Sequence, residues 1–199
     1  MNYGRSKMEM DKLAMDFHRH GELELVIVRS PWFYGPHQPP RQKLFFEMVR
    51  DGKAPIVGNG EKMRSMSYTG NLAEGLLLAA SSPLAAGQLY WMADERPYTM
   101  NEIVDTIERL MEPEFDQGCV HRRPWLPGWV SEAALVADAA LQSAVHYHQK
   151  VDVLSEMNKT IARGIRKAKE ELGYAPATSI EEGMRKSLTE IFKKSQKHG

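Results

Sequence analysis

The sequence has a single cysteine, Cys119, in 199 residues. One thiol excludes an internal disulfide framework and is expected as a small buried side chain rather than a reactive group. Charge imbalance is missing too: 26 Lys and Arg stand against 26 Asp and Glu, for a formal net charge of zero. That argues against a broad polyanion-binding surface, so nucleic acid is not an expected partner, while a local phosphate pocket stays open. No apolar run approaches the roughly 20 residues of a membrane-spanning helix. The opening stretch, residues 1–13, has no signal-peptide pattern. A cytoplasmic protein without a membrane span is expected. Internal repeats and low-complexity linkers are also absent.

What is present reads as alternating helix and strand. Residues 3–19 predict a helix with Met8 and Leu13 as apolar contacts, Met15 and Phe17 nearby, and Gly21 as C-cap. Residues 23–28 follow as a mostly buried strand, apolar from Leu25 to Val28. A helix feeding such a run is the pattern of a parallel α/β sheet. Residues 30–40 carry four prolines and read as a loop. Residues 41–50 predict an amphipathic helix with Leu44, Phe45, Met48 and Val49 on its inner face. A short strand over 55–57, a turn at Gly58-Asn-Gly60 and a strand over 63–68 come next. Asn71 is a candidate N-cap for a helix over 72–80, and 88–92 is a fifth extended piece. Thr99 with Glu102 makes a capping box before a helix over 100–111. Residues 122–129 read as irregular. Helices are expected over 131–146, 161–172, closed by Gly173, and 180–194, capped by Ser179.

Tyr3 and Lys7 lie four residues apart, which stacks both side chains on one helix face. An ammonium beside a phenol favours the phenolate. A tyrosine so tuned exchanges a proton with a hydroxyl near neutral pH. Taken alone, such a pair is weak evidence and reads more readily as exposed helix surface. His18-x-His20 and His146-x-His148 do not put both rings on one helix face, so surface histidines and no metal are expected. The twelve methionines read as core filler. Arg122, Arg123, Trp125 and Trp129 read as a packed loop rather than a stacking platform, and residues 193–197 as a solvated basic tail.

Tyr3-Gly-Arg-Ser-Lys7 resembles the active-site motif of short-chain dehydrogenases. Val28-Arg-Ser-Pro31, Tyr34-Gly-Pro36, Lys53-Ala-Pro-Ile-Val-Gly-Asn-Gly60, Arg64, and Ser67-Tyr-Thr-Gly-Asn-Leu-Ala-Glu-Gly75 follow in order. Gly87-Gln-Leu-Tyr90, Lys167-Ala-Lys-Glu-Glu-Leu-Gly-Tyr-Ala-Pro176 and Ser179-Ile-Glu-Glu-Gly183 complete the series. From Tyr3 to about Phe192 this order resembles the extended short-chain dehydrogenase/reductase family, the NAD-dependent epimerase/dehydratase kind. The resemblance implies an α/β fold: the C-terminal part of a Rossmann-type parallel sheet plus a small, mostly helical substrate-binding region. Residues 1–35 and about 70–95 would be the Rossmann remnant, and about 36–69 and 96–199 the substrate-binding region. The N-terminal βαβ units would be missing.

Under the resemblance, Tyr3 is the general acid/base, and Lys7 lowers its pKa and bonds the nicotinamide ribose. Pro31 and Trp32 lie at the carboxamide, Tyr34 meets substrate, and Arg64 holds a substrate diphosphate. The cofactor is NAD or NADP in the complete protein, the substrate is a small molecule, and the resemblance leaves room for a homodimer. Two departures stand out. Trp32 replaces a common Asn, and Gly70 replaces a common acidic residue. The Gly-rich phosphate loop is absent, so the chain alone is expected to be inactive. A 3β-hydroxysteroid or sterol dehydrogenase shares the layout; Trp32 leans that way and Arg64 towards the nucleotide sugar. A truncated, non-catalytic chain is the third reading.

Overall fold

A computed structural model describes residues 2–143 and 159–193. Helix α1 (Asn2–Arg19) leads through Gly21, at φ +73°, towards strand β1 (Ile27–Arg29). β1 is shorter than the apolar run of 23–28, although Leu25 O already accepts from the Gly87 N–H at 2.8 Å. Its partner is β6 (Leu89–Trp91), parallel, with Ile27 opposite Leu89 and Arg29 opposite Trp91. Strand β2 (Trp32–Tyr34) pairs in parallel with β5 (Met66–Tyr68). Strand β3 (Ile56–Val57) pairs in parallel with β8 (Trp125–Leu126), so the supposedly irregular 122–129 segment holds a strand. Strand β4 (Met63–Arg64) runs antiparallel to β7 (Tyr98–Thr99).

The strand expected over 63–68 is thus two strands in two sheets, broken at Ser65. The Ser65 N–H donates to Ile161 O, and its hydroxyl accepts from the Arg163 N–H at 2.8 Å. The same contacts correct the helix expected over 161–172. Ile161 forms a bridge with Arg64, and helix α6 spans only Arg166–Leu172, ending at Gly173 with φ +69°.

Helix α2 (Pro40–Arg50) starts with proline in its first turn, where the missing N–H costs nothing. It buries Gln42, Phe46 and Val49; Leu44, expected inside, is exposed. Helix α3 (Thr69–Ser81) begins before Asn71, so Asn71 is not its N-cap. Asn71 is buried and holds Thr178 through both ends of its amide, Nδ2 to Thr178 O and Oδ1 to Thr178 N–H. Helix α4 (Met100–Phe115) is capped as predicted, Thr99 Oγ1 accepting from the Glu102 N–H at 3.0 Å. It continues past Met111, through Pro113. Helix α5 (Gly128–Ser143) and helix α7 (Ile180–Lys193) follow; Ser179 Oγ accepts from the Glu182 N–H ahead of α7. The rest of the helix expected over 131–146, His146-x-His148 and the tail beyond residue 193 lie outside the described residues.

Two apolar clusters result. One gathers Tyr34, Phe46, Met66, Ile107, Met184 and Leu188 between α2, α4 and α7. Gly183 allows the close approach: a Cβ there would stand 2.6 Å from the Tyr34 ring and 2.8 Å from that of Tyr68. The other gathers Ala79, Tyr90, Met92, Ile165 and Tyr174 beside Val26 and Val28. Ile165–Tyr174 therefore packs on the β1–β6 side, although the sequence allots it to the substrate-binding region.

Candidate active site

Helix α1 runs antiparallel to β1 and β6. Near its end, His18 Nδ1 lies 3.1 Å from Leu23 O, and the His18 ring covers Gly87 at the start of β6. Its middle lies at the other end of the strands, where Arg29 Nε donates to Asp11 Oδ2 at 3.0 Å. Lys7 is four and Tyr3 eight residues before Asp11. At 1.5 Å per residue their backbone positions stand about 6 and 12 Å farther along the helix. This end of α1 therefore projects past the carboxyl ends of two parallel strands, the place where open α/β sheets take ligands. Lys7 is exposed there.

The chain leaves β1 through Ser30 and Pro31, half-buried, into Trp32. Trp32 meets the Phe45 ring edge-on, with centroids 5.1 Å apart. Tyr34 points inward instead. It is 2 % exposed, and its hydroxyl donates to Asp94 at 2.7 Å. The buried Asp94 carboxylate also accepts from the Tyr68 N–H at 2.9 Å and from Asn71 Nδ2 at 3.4 Å. Burial raises the Asp94 pKa against these three donors, and burial beside Asp94 raises that of Tyr34. Gly70, where an acidic residue was expected, is left small for another reason: a Cβ would lie 2.4 Å from the Tyr68 ring. Asp94, which ends the stretch after β6, supplies a carboxylate at the Tyr68 N–H.

Arg64 is half-buried on β4, opposite Tyr98. The Arg163 guanidinium lies 5.1 Å from the Trp91 ring centroid, and that of Arg29 5.6 Å from it. Arg29, Trp91 and Arg163 thus stack at the carboxyl edge of the sheet, and the Ser65–Arg163 bond ties the residue next to Arg64 to this stack.

A helix end projecting past parallel strand ends, followed by an aromatic loop, is an architecture that comparison with known proteins can test. The family model of GDP-mannose 4,6 dehydratase matches residues 1–187. The chain belongs to this family. Among its relatives, the uncharacterized protein y4nL of Sinorhizobium fredii is 52% identical over 98% of this chain and 55% of its own length. The UDP-glucuronate 4-epimerase of Thermodesulfobacterium geofontis is 24% identical over 94% of this chain and 49% of its own length. The 2-alkyl-3-oxoalkanoate reductase of Shewanella oneidensis is 24% identical over 92% and 50%. The chain spans about half the length of these curated relatives. Among solved structures, the UDP-glucuronic acid 4-epimerase of Bacillus cereus in complex with NAD aligns with TM-score 0.70 at 18% identity, over all of this chain and 54% of that one. The dTDP-glucose 4,6-dehydratase of Bacillus anthracis with NAD gives 0.69 at 17%, again over 100% and 54%. These likenesses show an α/β fold of the NAD-dependent epimerase/dehydratase type, in keeping with a C-terminal part.

In this member of the GDP-mannose 4,6 dehydratase family, Lys7 lies on α1 one turn before Asp11, Pro31 and Trp32 follow β1, Arg64 lies on β4, and Tyr34 is buried on β2. The sequence missed Asp11, Arg29, Asp94 and Arg163. A polar residue next to a buried strand end was the available signal for Arg29 and Asp94. Cys119 is half-buried, its thiol pushed up to about 11 by burial and by Glu112 and Glu108. No group able to hold a metal ion occurs among the described residues, and no described helix is long and apolar enough to cross a membrane.

Proposed function

We propose that this chain supplies the acid–base and substrate-binding part of an NAD(P)-dependent epimerase or dehydratase. The substrate is a secondary alcohol or ketone of a nucleotide sugar, and the setting is the cytoplasm. The observation that supports the reading is the Asp11–Arg29 pair, which ties α1, the helix of Tyr3 and Lys7, to the carboxyl end of β1. Tyr3 takes or gives the hydroxyl proton as general acid/base. The Lys7 ammonium favours the phenolate by its charge and bonds a ribose hydroxyl.

The residues present fit the nicotinamide end of NAD(P): Lys7 for the ribose, Pro31 and Trp32 for the carboxamide. They fit the pyrophosphate end less. At the strand-to-helix turn after β5, Gly70 makes room for the Tyr68 ring rather than for a phosphate. The nicotinamide supplies hydride chemistry when bound, and the chain alone holds a dinucleotide weakly. The NAD complexes of the Bacillus enzymes support this cofactor. Residues 1–35 and about 70–95 act as the cofactor side, and about 36–69 and 96–199 as the substrate side, with Ile165–Tyr174 packed across to the former. Arg64 holds the substrate diphosphate with its planar fork, and the Tyr34 ring backs the pocket under Trp32.

A second reading rests on the Trp32–Phe45 wall. An aromatic wall suits an apolar alcohol or ketone, and the 2-alkyl-3-oxoalkanoate reductase relative supports it. One experiment separates the readings. The chain is joined to the part of the Sinorhizobium fredii relative that it does not cover. Turnover is then measured with a nucleotide sugar and a hydroxysteroid. Tyr3→Phe is expected to lower kcat about 100- to 10,000-fold. Arg64→Ala raises KM for the nucleotide sugar with kcat nearly unchanged, the mark of lost ground-state binding. With the apolar substrate Arg64→Ala is silent. Full turnover by Tyr3→Phe overturns the proposal.

A further inference from the structure

Several arginines in this fold are matched to carboxylates. Arg96 holds Glu102, Arg123 holds Asp105 and Glu108, and Arg185 holds Glu114 and Glu181. At the carboxyl end of β1, Arg29 holds Asp11. Arg163 is matched differently. It is exposed, and its guanidinium lies 5.1 Å from the centroid of the Trp91 ring, with no carboxylate in ion-pair reach among the described residues.

The fold places this side chain. The Arg163 N–H donates to Ser65 Oγ at 2.8 Å, Ile161 bridges to Arg64, and Ile165 is buried in the cluster of Tyr90 and Tyr174. The strap is thus anchored on both sides of Arg163. Trp91 stands opposite Arg29 in the parallel β1–β6 pair, and residues opposite one another share a face of the sheet. Arg29 bonds Asp11, so α1 lies on that face. Tyr90, the neighbour of Trp91, turns to the other face and into the buried cluster. Arg163 therefore sits at the strand ends on the α1 side, where the Lys7 end of the helix projects.

Two guanidiniums share the indole, Arg29 at 5.6 Å and Arg163 at 5.1 Å. Asp11 compensates the first, which leaves one positive charge at the ring. A guanidinium held by the face of an aromatic ring keeps its rim of N–H groups free. That rim is a planar fork matched to a carboxylate through two parallel hydrogen bonds. The stack also limits the side-chain freedom that a ligand would otherwise have to restrain. A single surplus charge matches a carboxylate better than a diphosphate, which carries a charge on each phosphate.

We propose that Arg163 is a specificity-determining residue that receives a carboxylate carried by the substrate beside its reacting alcohol or ketone. The N–H fork donates to both carboxylate oxygens while Trp91 holds the guanidinium plane. Two substrate classes bring that group: a nucleotide sugar whose sugar is a uronate, and a 3-hydroxy or 3-oxo acid. The inference rests on the reading of the β1 and β6 ends as the reaction site, and it deepens that reading from secondary alcohol to carboxylate-bearing secondary alcohol.

The test uses the 199-residue chain, titration calorimetry, and two ligand pairs that differ in the carboxylate: UDP-glucuronate with UDP-glucose, and 3-hydroxydecanoate with its methyl ester. The acid of at least one pair is expected to bind about 10-fold or more tighter than its neutral partner, the order for hydrogen bonds to a charged group. A preference confined to the first pair assigns the carboxylate to a uronate, and one confined to the second assigns it to an acyl chain. Arg163→Met removes the charge and is expected to erase the preference with little change in melting temperature, because the side chain is exposed. Arg163→Lys keeps the charge but loses the fork, and is expected to retain part of the preference. Equal binding of acid and neutral partner in both pairs, no binding at all, or a preference that survives Arg163→Met overturns the proposal. So does equal weakening of UDP-glucuronate and UDP-glucose by Arg163→Met, the result for a diphosphate contact. The catalytic reading fails on Tyr3→Phe turnover, which none of these binding measurements uses, so the two failures are distinguishable.

Discussion

Helices α4 and α1 are of similar length, 16 and 18 residues, and both carry methionines. α4 buries nine residues, Ile103, Ile107 and Leu110 among them, against α2 and α7. α1 leaves Met8, Met10, Leu13 and Phe17 between 43 and 60 % exposed. One helix is held by burial, which is non-directional. The other is held at two polar points, Asp11–Arg29 and His18–Leu23, which fix a direction. An open groove of about 530 Å³ beside α1, reaching Met15, Ile27 and Leu89, marks how little packing it has. The burial is concentrated around α4, and the chemistry proposed for Tyr3 and Lys7 sits on a helix that buries far less.

The sharpest way to break this contrast is a matched pair of substitutions. Ile107→Ala is expected to destabilise the chain by about 2–5 kcal/mol, the range for a buried large-to-small change. Leu13→Ala should stay within about 0.5 kcal/mol. Urea titrations followed by circular dichroism give both values, and equal losses would sink the contrast.

Asp94 tests the joint between the clusters, since it follows β6 on one side and holds Tyr34 and Tyr68 on the other. Asp94→Ala strands a buried hydroxyl and a backbone N–H, at about 1–3 kcal/mol each. Asp94→Asn keeps an acceptor and should cost less. Equal urea midpoints for Asp94→Ala and the parent chain would show the joint to be inert.

The smallest effect expected is a pH dependence. The loop before β8 is clamped to α4 by His121, whose Nε2 lies 2.7 Å from Glu112 Oε1 and whose Nδ1 lies 3.4 Å from Glu108 Oε2. Hydrogen bonds to Glu112 and Glu108 raise the His121 pKa above 6.5, and the bond to His121 lowers that of Glu112 below 4.5. A raised histidine stabilises fully below its unfolded value and loses that contribution as pH rises through the folded one. The lowered carboxylate contributes above its unfolded value and loses it as pH falls. The clamp is therefore strongest between about pH 4.5 and 6.5. The melting-temperature gap between the parent and His121→Gln should be widest in that window and shrink by pH 9. A gap constant across pH would refute the clamp.

Much of this was legible where the signal is local. Thr99 caps α4 because its hydroxyl and the Glu102 N–H are three residues apart, and the apolar run ending at Val28 finds the run starting at Leu89 because both need a buried neighbour. The misreadings share one cause. Asn71 looks like a cap until Thr178 claims both ends of its amide. Residues 161–165 have helix-like composition, but Ile161 and Arg163 are taken by Arg64 and Ser65. Leu44 looks inward until the phase of α2 is set by Gln42, Phe46 and Val49. In the first two, a partner far along the chain overrides the local preference; in the third, the rest of the helix face does. The candidate site follows the same rule: Tyr3 and Lys7 are proposed from a local motif and its resemblance, whereas Asp94 acquires its partners only when two strands bring Tyr34 and Tyr68 to it.

Ser65 sets a timetable. Its hydroxyl is bonded to the Arg163 backbone, 98 residues later in the chain. Translation at about 5–20 residues per second delivers Arg163 roughly 5–20 s after Ser65 has been made. For that interval Met63, Arg64 and Ser65 wait for Ile161 and Arg163 on one edge, while β2, the partner of β5, and β7, the other partner of β4, are made sooner. The late-made residues 161–165 are thus a closing clasp on that one edge.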